Sequence, residues 1–401
     1  MITLDEHRAR VLAAARAAAP PPEERSLQDA LGLVLAEDVR TRWPIPLFDN
    51  SAMDGYAVRC ADATPGARLR IVGDVPAGSG DDPPIAEGEA VRIMTGAPVP
   101  SDADAIVPLE HTDLGTAVTA MPPDAITVTQ APHPSAHLRR RGEDADAGAL
   151  AVPAGAVLGP WQLSAVASAG WDRVLVHRAA RVAVISTGDE LIAPSAEPAR
   201  GQIPESNSVL LAAAVRAAGA DVVATHVVSD DADGLAAVLA ETTADVVILS
   251  GGASVGAFDV AKAVLGGREG VRYDAVAMQP GKPQGFGTIG DTLVFSLPGN
   301  PVSVAVSFEM FVRPALRTFA GHKVIDRPRR EMTAAVDWRC PPARVQVLPV
   351  VLDGDTVRPA SAGGSGSHLV SSLAAAEALA VIPAEADAVT AGETVSVMML
   401  S

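Results

Sequence analysis

Between residues 178 and 325 the chain alternates short apolar runs with amphipathic segments of helical period. Four runs predict buried strands: RVAVIST, DVVATHVVS, DVVILSGG and TLVFSLPGN. Three segments predict the helices between them: VLLAAAVRAAGA, DGLAAVLAETT and FDVAKAVLGG. A long final helix that includes Pro314 is expected to begin at Pro301, with Asn300 as its N-cap. Strands and helices that alternate in this way form a parallel sheet covered by helices, so we expect an α/β domain over residues 178–325.

The regions that flank this segment follow other patterns, and a length of 401 residues leaves room for two to four domains. Residues 46–138 are rich in Val, Gly, Pro and Asp and contain short apolar runs, which predict a small β domain. Residues 326–401 lose the helical period and predict a C-terminal β-barrel. The stretches 1–45 and 139–177 predict one helical linker domain, into which the small β domain is inserted.

Three helices are expected in this linker domain. The first covers residues 3–19, because Thr3 and Glu6 are spaced as a capping box and a run of prolines follows. The second covers Leu27–Leu35. The third covers Trp161–Ala169, because the glycine that follows is a typical residue at the end of a helix.

Composition argues against several classes of protein. The formal net charge is −17 and no basic face or stripe is visible, which is unlike a nucleic-acid-binding protein. The N-terminal segment does not resemble a signal peptide, and no run of about 18 uncharged apolar residues predicts a membrane span. Cys60 and Cys340 are isolated and match no zinc-binding pattern. They favour reduced thiols and a cytoplasmic location.

Polar and glycine-rich loops follow the predicted strands, at the sheet edge where α/β proteins bind ligands. They are STGDEL at 186–191, SDDAD at 229–233, SGGASVGAFD at 250–259, MQPGKPQGFG at 278–287 and LPGNPVS at 297–303. The SGG loop opens a helix, so its N–H groups and the helix dipole favour a phosphate. A tight turn without a ligand has the same pattern, and the spacing is not that of a P-loop.

Few residues offer a cation for an anionic ligand. Lysine occurs only at Lys262, Lys282 and Lys323, beside 28 arginines. Lys282 lies in a proline-rich loop, whose stiffness lowers the entropy lost in holding the ammonium against a ligand. The run Arg139–Arg141 is the other candidate, either as an oxyanion site or as a solvated linker.

Acidic side chains accompany the same loops: Glu190, Asp230, Asp231 and Asp259 lie near the sheet edge, and Asp54 lies in another turn-rich segment. Acids beside an anion site repel the ligand unless a hard cation bridges them, and Mg²⁺ fits that arrangement. Helix capping is the alternative for Asp230 and Asp231. The histidines lie in no nucleophile-elbow context, so Ser/His/Asp catalysis is not expected.

Seven segments taken together resemble the signature blocks of the molybdopterin molybdenumtransferases, the MoeA/gephyrin family. In chain order they are PLFDNSAMDGYAVR (46–59), VRIMTGAPVPSDADAIVPLE (91–110), RRRGED (139–144), AVISTGDEL (183–191), SGGASVGAFD (250–259), PGKPQGFG (280–287) and LPGNPVSVAVSF (297–308). Seven blocks in one order are far more specific than a single glycine-rich loop.

The resemblance implies an activity and an assembly. The family's substrate is adenylylated molybdopterin, and its co-substrate is molybdate. The adenylate is cleaved in a Mg²⁺-dependent step, AMP leaves, and the dithiolene receives molybdenum. The implied protein is a homodimer of four-domain subunits, with a cleft between the α/β domain of one subunit and the small β domain of the other. Its partners would be a molybdopterin adenylyltransferase and the molybdoenzymes that accept the cofactor.

The resemblance also assigns individual residues. The metal ligands would be Glu190, Asp259 and Asp231, with Asp230 as the alternative to Asp231. The catalytic residues would be Asp54, Thr95, Glu190, Asp259 and Lys282. The substrate-binding residues would be Asp144, Arg140, Gly251, Gly252, Ser254, Pro298, Pro301, Ser367 and Ser371, the last two in a late GSHLVSS block that also contains His368.

One departure from the family pattern concerns charge. Some members have a second lysine just before PGKP, and this chain has Gln279 there. Two other functions compete with the transferase: a scaffold or non-catalytic binding protein, and a molybdopterin adenylyltransferase. The first would need extra domains and a long linker. The second would leave the MDGYA, MTGA and C-terminal blocks unexplained.

Overall fold

The computed structural model describes residues 1–116, 120–251, 260–361 and 366–400. Helices are a minority of this structure, and most of them lie in the second half of the chain. A π-helical segment, Phe308–Val312, joins two of them into one long helix, as predicted from Pro301 onward. The helices are α1 (Leu4–Ala18), α2 (Pro160–Ser168), α3 (Asn207–Ala217), α4 (Ala232–Glu241), α5 (Val260–Leu265), α6 (Pro301–Ser307), α7 (Arg313–Phe319) and α8 (Ser371–Ala375).

The first 177 residues form short strands. They are β1 (Glu23–Ser26), β2 (Val34–Leu35), β3 (Val39–Arg40), β4 (Asn50–Ser51), β5 (Gly55–Val58), β6 (Arg68–Val75), β7 (Glu89–Ile93), β8 (Ala105–Pro108), β9 (Ala125–Thr127), β10 (Leu138–Arg139), β11 (Leu150–Val152) and β12 (Arg173–His177).

The rest of the chain contains the longest strands. They are β13 (Arg181–Thr187), β14 (Leu191–Ile192), β15 (Ile203–Pro204), β16 (Asp221–Val228), β17 (Val246–Ser250), β18 (Val271–Ala275), β19 (Met278–Gln279), β20 (Pro283–Ile289), β21 (Thr292–Leu297), β22 (Arg329–Ala334), β23 (Trp338–Arg339), β24 (Val345–Asp353), β25 (Thr356–Pro359), β26 (Ala378–Ile382), β27 (Ala388–Val389) and β28 (Thr394–Met399).

The central sheet has six strands in the order β16-β13-β17-β21-β20-β18. The first four are parallel, as the alternation of strands and helices predicts, whereas β20 and β18 add to one edge in antiparallel orientation. Helices α3, α6 and α7 share a hydrophobic core with one face, and helices α4 and α5 share another with the opposite face. Strands β13, β17 and β21 are therefore buried on both faces, which leaves their ends as the places where a ligand can reach them.

Helix α1 belongs to this core. Its capping box at Thr3 and Glu6 is present, as predicted. Its buried side chains, Leu4, Val11 and Ala15, pack with the core of residues 178–325 and not with the remainder of the linker region.

That remainder is built mainly from strands. Strands β1, β12 and β2 form an antiparallel sheet, and β11 pairs with β3. The prediction of a helix over Leu27–Leu35 was wrong, because this segment forms turns and then strand β2. Gly32 adopts a φ of +81°, which ends any helix there, and Val34 and Leu35 are buried against the sheet. The third predicted helix is confirmed as α2.

Strands β8-β5-β7-β6-β9 form a separate five-stranded sheet with hydrophobic clusters of its own. The C-terminal region is a closed barrel: β24, β25, β22, β28 and β26 pair in sequence and β26 returns to β24. Strand β19 attaches to β24 and so connects the barrel to the central sheet. None of the helices in the described part of the chain combines the length and the apolar character that a bilayer crossing requires.

Candidate functional site

The carboxyl ends of three parallel strands lie side by side in the central sheet. Ser186 of β13 is in register with Ser250 of β17, and Ser250 is in register with Leu297 of β21. The loops that follow these strands, which are the predicted STGDEL, SGG and LPGNP loops, therefore start from one short stretch of the sheet edge. The geometry brings together three of the segments that sequence analysis selected separately.

Glycine is required where these loops meet. Gly251 has a φ of +94°, and a Cβ there would lie 2.7 Å from the carbonyl oxygen of Thr187. A Cβ on Gly299 would lie 3.4 Å from the Cα of Gly251. Gly251 therefore lies against the end of β13 with no room for a side chain, and Gly299 of the LPGNP turn lies in van der Waals contact with it.

A buried network of hydrogen bonds holds the ends of β13 and β17 together. Glu205 is 5% exposed, and its Oε1 accepts hydrogen bonds from the Ser186 hydroxyl at 2.8 Å and the Ser208 amide at 2.7 Å. Its Oε2 accepts a bond from the Ser208 hydroxyl, and the Ser186 and Ser250 hydroxyls are 2.9 Å apart. One carboxylate thus connects two strand ends to the start of α3. Glu205 was not predicted from the sequence; the available signal was a serine at the end of each of two apolar strands.

Lys282 lies immediately before β20, which runs antiparallel to β21 and begins at the edge where β21 ends. Its side chain is exposed at that edge, and its carbonyl accepts a bond from the Val276 amide at 2.7 Å. The prediction that residues 278–287 form one loop was wrong, because only Pro280–Lys282 connect β19 to β20. The shorter connection leaves Lys282 less conformational freedom than a ten-residue loop would.

An arginine from the barrel region lies beside the same connection. Arg344 donates a hydrogen bond to the Gln279 side chain at 3.2 Å and is partly buried. Gln279 is the position at which some family members have a second lysine, so the structure places a different cation next to it. Arg344 was missed because no sequence motif surrounds it and the contact joins residues 65 positions apart.

The acidic loops that follow β13 and the outermost strand, β16, are neighbours. The Asp230 amide donates to Asp189 Oδ1 at 3.0 Å, which joins the loops after β13 and β16. Glu190 is exposed, and its carboxylate folds over Gly188, whose Cβ would lie 2.5 Å from Glu190 Oε2. Asp231 caps α4 by accepting from the Asp233 and Gly234 amides. The capping alternative therefore holds for Asp231, while Asp230 is exposed beside it in the same loop.

Candidate metal ligands are spread over several loops. Within the described ranges, no group of three or more His, Cys, Asp or Glu side chains is close enough to hold a metal ion. Gly252, Ser254 and Asp259 lie outside the described residues.

The late GSHLVSS block reaches the LPGNP loop. Ser367 Oγ accepts from the Asn300 side chain at 3.0 Å, and the Ser367 carbonyl accepts from the Val302 amide. Pro298 is buried and Pro301 begins α6, while Ser371 begins α8 just beyond His368. Residues predicted from two distant motifs thus contact each other.

Asp54 and Thr95 meet on the five-stranded sheet, where Gly55 of β5 is in register with Ile93 of β7. Asp54 Oδ1 accepts from the Thr95 amide at 2.6 Å and the Thr95 hydroxyl at 2.8 Å. These bonds hold the pKa of Asp54 below its ordinary value. Both residues are exposed, so an ionised carboxylate is presented to solvent.

The arginine cluster is partly neutralised. Arg140 forms an ion pair with Asp49 at 2.6 Å and also donates to the Ser135 hydroxyl, while Asp49 accepts from the Arg141 amide. Asp144 is exposed in the adjoining turn and its amide donates to the Ile45 carbonyl. Arg140 is therefore engaged in holding the turn, which weakens the prediction that it binds substrate directly.

Three family models together match most of the chain. One described as the MoeA N-terminal region (domain I and II) matches residues 2–170, and one described as a probable molybdopterin binding domain matches residues 183–318. A third, described as the MoeA C-terminal region (domain IV), matches residues 331–400. Molybdopterin molybdenumtransferase 2 of Mycobacterium tuberculosis is 42% identical over 100% of both chains. The chain belongs to the MoeA family of molybdopterin molybdenumtransferases.

Other MoeA proteins are similar over the same length. The molybdopterin molybdenumtransferase of Haemophilus influenzae is 34% identical, covering 99% of this chain and 98% of its own. The crystal structure of a molybdopterin biosynthesis MoeA protein from Pyrococcus horikoshii superposes with a TM-score of 0.81 at 31% identity, over 100% of this chain and 99% of that one. The resemblance to the family and the expected multidomain fold, with its α/β region and β-barrel, are confirmed.

Proposed function

We propose that this chain inserts molybdenum from molybdate into adenylylated molybdopterin and releases AMP, as a transferase of molybdenum cofactor biosynthesis. The observation that carries the proposal is the meeting of the SGG, LPGNP and Lys282 segments at one sheet edge. Backbone N–H groups and a cation at such an edge suit a phosphorylated ligand. The full-length relatives are molybdopterin molybdenumtransferases, which supports the transfer of molybdenum to molybdopterin.

The candidate residues would have different roles in this reaction. Gly251, together with Gly252 and Ser254, would receive the phosphate through backbone N–H groups, while Pro298, Pro301, Ser367 and Ser371 shape the neighbouring wall. Lys282 and Arg344 would neutralise negative charge on the substrate pyrophosphate or on molybdate. Asp54, held by Thr95, would orient molybdate or water, with Asp144 and Arg140 in support.

The acidic loops suit a magnesium ion. Glu190 and Asp230 offer exposed carboxylate oxygens on adjacent loops, which are the donors that Mg²⁺ prefers, and Asp259 would complete the set. A bound Mg²⁺ would offset the negative charge of the pyrophosphate and polarise its phosphoryl oxygens. Asp231 contributes mainly by fixing the start of α4, which positions Asp230.

We also propose that a second copy of the chain completes the site. Asp54 and Thr95 lie on the five-stranded sheet, whose hydrophobic clusters share no member with those of the six-stranded sheet. The two groups of functional residues therefore belong to independently packed regions. A homodimer that places the small β domain (46–138) of one subunit over the α/β domain (178–325) of the other would unite them. The linker (1–45 and 139–177) and the barrel (326–401) would set the spacing.

The activity implies a place and partners. A molybdopterin adenylyltransferase would supply the substrate, and apo-molybdoenzymes would accept the product. The two cysteines are unpaired, which suits a reducing compartment such as the cytoplasm.

The test is direct. Purified protein is mixed with adenylylated molybdopterin, molybdate and Mg²⁺, and both AMP release and the reconstitution of an apo-molybdoenzyme are followed. We expect AMP release that requires molybdate and Mg²⁺, and its loss in Asp54→Ala with the fold retained. A fully active Asp54→Ala variant would overturn the assignment of Asp54. Binding without turnover would indicate a carrier, and adenylylation of free molybdopterin from ATP would indicate an adenylyltransferase.

A further inference from the structure

Gln284 is a buried amide that holds the connection carrying Lys282. It is 1% exposed at the second position of β20, and its Nε2 donates to the Gly281 carbonyl and to the Ser307 hydroxyl, each at 2.7 Å. A buried amide N–H₂ group left without acceptors would destabilise the fold, so these two bonds fix where Gly281 can lie.

The connection is also packed tightly on this pair. Gly281 has a φ of +95°, and a Cβ there would lie 3.0 Å from Ser307 Oγ and 3.2 Å from Gln284 Nε2. The backbone of Gly281 therefore rests directly on the two side chains. Lys282, the next residue, is tied by its carbonyl to the Val276 amide, while its side chain stays exposed.

The pair joins two loops of the sheet edge. Ser307 is fully buried and is the last residue of α6, whose first residue, Pro301, ends the LPGNP turn. The Lys282 connection and the LPGNP turn are thus fixed to one short helix. On its other side, the same connection contacts Arg344 through Gln279.

We propose that Gln284 is a positioning residue, which holds Lys282 at the sheet edge through the Gly281 carbonyl and the Ser307 hydroxyl. The inference rests on the proposed function, in which Lys282 meets an anionic substrate. A cation whose backbone is fixed before binding loses less entropy when the ligand arrives, so the amide increases the effect of Lys282 without touching the substrate.

The first experiment measures turnover in a double-mutant cycle. Gln284→Met keeps the volume of the side chain and removes its donors, and Lys282→Gln removes the cation. We expect Gln284→Met to lower kcat/KM for AMP release about tenfold when Lys282 is present. The same change should have an effect of less than about twofold in the Lys282→Gln background, because the residue acts through the lysine. Equal losses in both backgrounds would overturn the proposal.

The second experiment does not depend on turnover. Hydrogen exchange in the peptide spanning 276–282 should become faster in Gln284→Met and in Ser307→Ala, because the Val276 amide loses a fixed acceptor. Thr292→Val is the control, since it removes a side-chain bond to the Ala244 carbonyl at the opposite end of β21. Unchanged exchange in both variants would overturn the positioning of Lys282 even if turnover fell. If exchange becomes faster in these variants but the wild-type protein has no transferase activity, the proposed function is refuted and the positioning role of Gln284 stands.

Discussion

The two groups of functional residues are built in opposite ways. The Asp54–Thr95 pair is exposed, lies just beyond the ends of the neighbouring strands β5 and β7, and consists of one carboxylate with two hydrogen-bond donors. The α/β edge depends on buried side chains, Glu205 and Gln284, which hold glycine-rich backbone and a lysine in place. The first region presents a negative charge on its surface. In the second region, buried side chains fix the position of the groups that face solvent.

This difference has consequences for the chemistry. Electrostatic stabilisation requires charges and dipoles that do not reorganise during the reaction. The buried side chains supply that rigidity, because they hold the strand ends and the connection that carries Lys282. The exposed Asp54 carboxylate is fixed only by its hydrogen bonds to Thr95. We expect it to act on the substrate only when the α/β edge lies opposite it. We infer that substitutions in the first region will affect activity with little change in stability, and that substitutions in the buried network will affect both.

The largest expected effect concerns the sharing of the site between subunits. Asp54→Asn and Lys282→Gln should each reduce turnover by about 100-fold or more, which is typical for a lost charge-stabilising group. If each site takes Asp54 from one subunit and Lys282 from the other, co-refolding equal amounts of the two variants should restore about a quarter of wild-type activity. Half of the dimers would be mixed, and each mixed dimer would have one intact site.

Mixed dimers of Asp54→Asn with Thr95→Ala are the control for this experiment, because both changes lie in the same half-site. They should show no recovery beyond the residual activity of either variant. No recovery in the test pair would show that a single subunit supplies both groups of residues. Recovery in the control would show that Asp54 and Thr95 do not act in the same half-site.

A smaller effect separates the two regions by stability. Glu205→Gln should lower the free energy of unfolding by about 1–3 kcal/mol. The new N–H₂ group would face groups that donate hydrogen bonds to the Glu205 carboxylate, so one bond would be lost and its donors left unpaired. Asp54→Asn removes the same charge from an exposed site and should stay within about 0.5 kcal/mol of wild type. Denaturant unfolding of the pair measures the comparison. Equal stability losses would mean that burial does not distinguish the two acids.

The functional residues of the first region could be predicted from the sequence more completely than those of the second. Asp54 and Thr95 belong to the MDGYA and MTGA blocks, and each was predicted to be catalytic from its own block. Glu205, Gln284 and Arg344 were missed because their roles arise from contacts across the fold. Gln279 and Arg344, for example, are 65 residues apart in the chain and meet where β19 joins the barrel. Nothing in the local sequence of either residue indicates that contact.

The fold shows the same division. The uninterrupted apolar runs of β13, β17 and β21 predicted buried parallel strands because their pattern reflects burial on both faces. The segment Leu27–Leu35 was predicted to be helical, but Gly32 adopts a positive φ and β2 pairs with β12 instead. Tertiary pairing outweighs helix propensity in so short a segment.

The smallest effect is a change in the titration of Asp54. The Thr95 amide and then the Thr95 hydroxyl lower the pKa of Asp54, so Thr95→Val should raise this pKa part of the way towards its ordinary value of about 3.9. A lowered folded-state pKa contributes stability above the unfolded-state value, and this contribution is lost as pH falls through the folded-state pKa. The variant should therefore be less stable than wild type above about pH 4, and this difference should shrink as pH falls through the folded-state pKa. Carbon-13 NMR of the Asp54 carboxyl group measures the shift, and an unchanged pKa would contradict the hydroxyl contact. Because Asp54 is ionised at neutral pH in both proteins, any loss of turnover there must come from misplacement of the carboxylate.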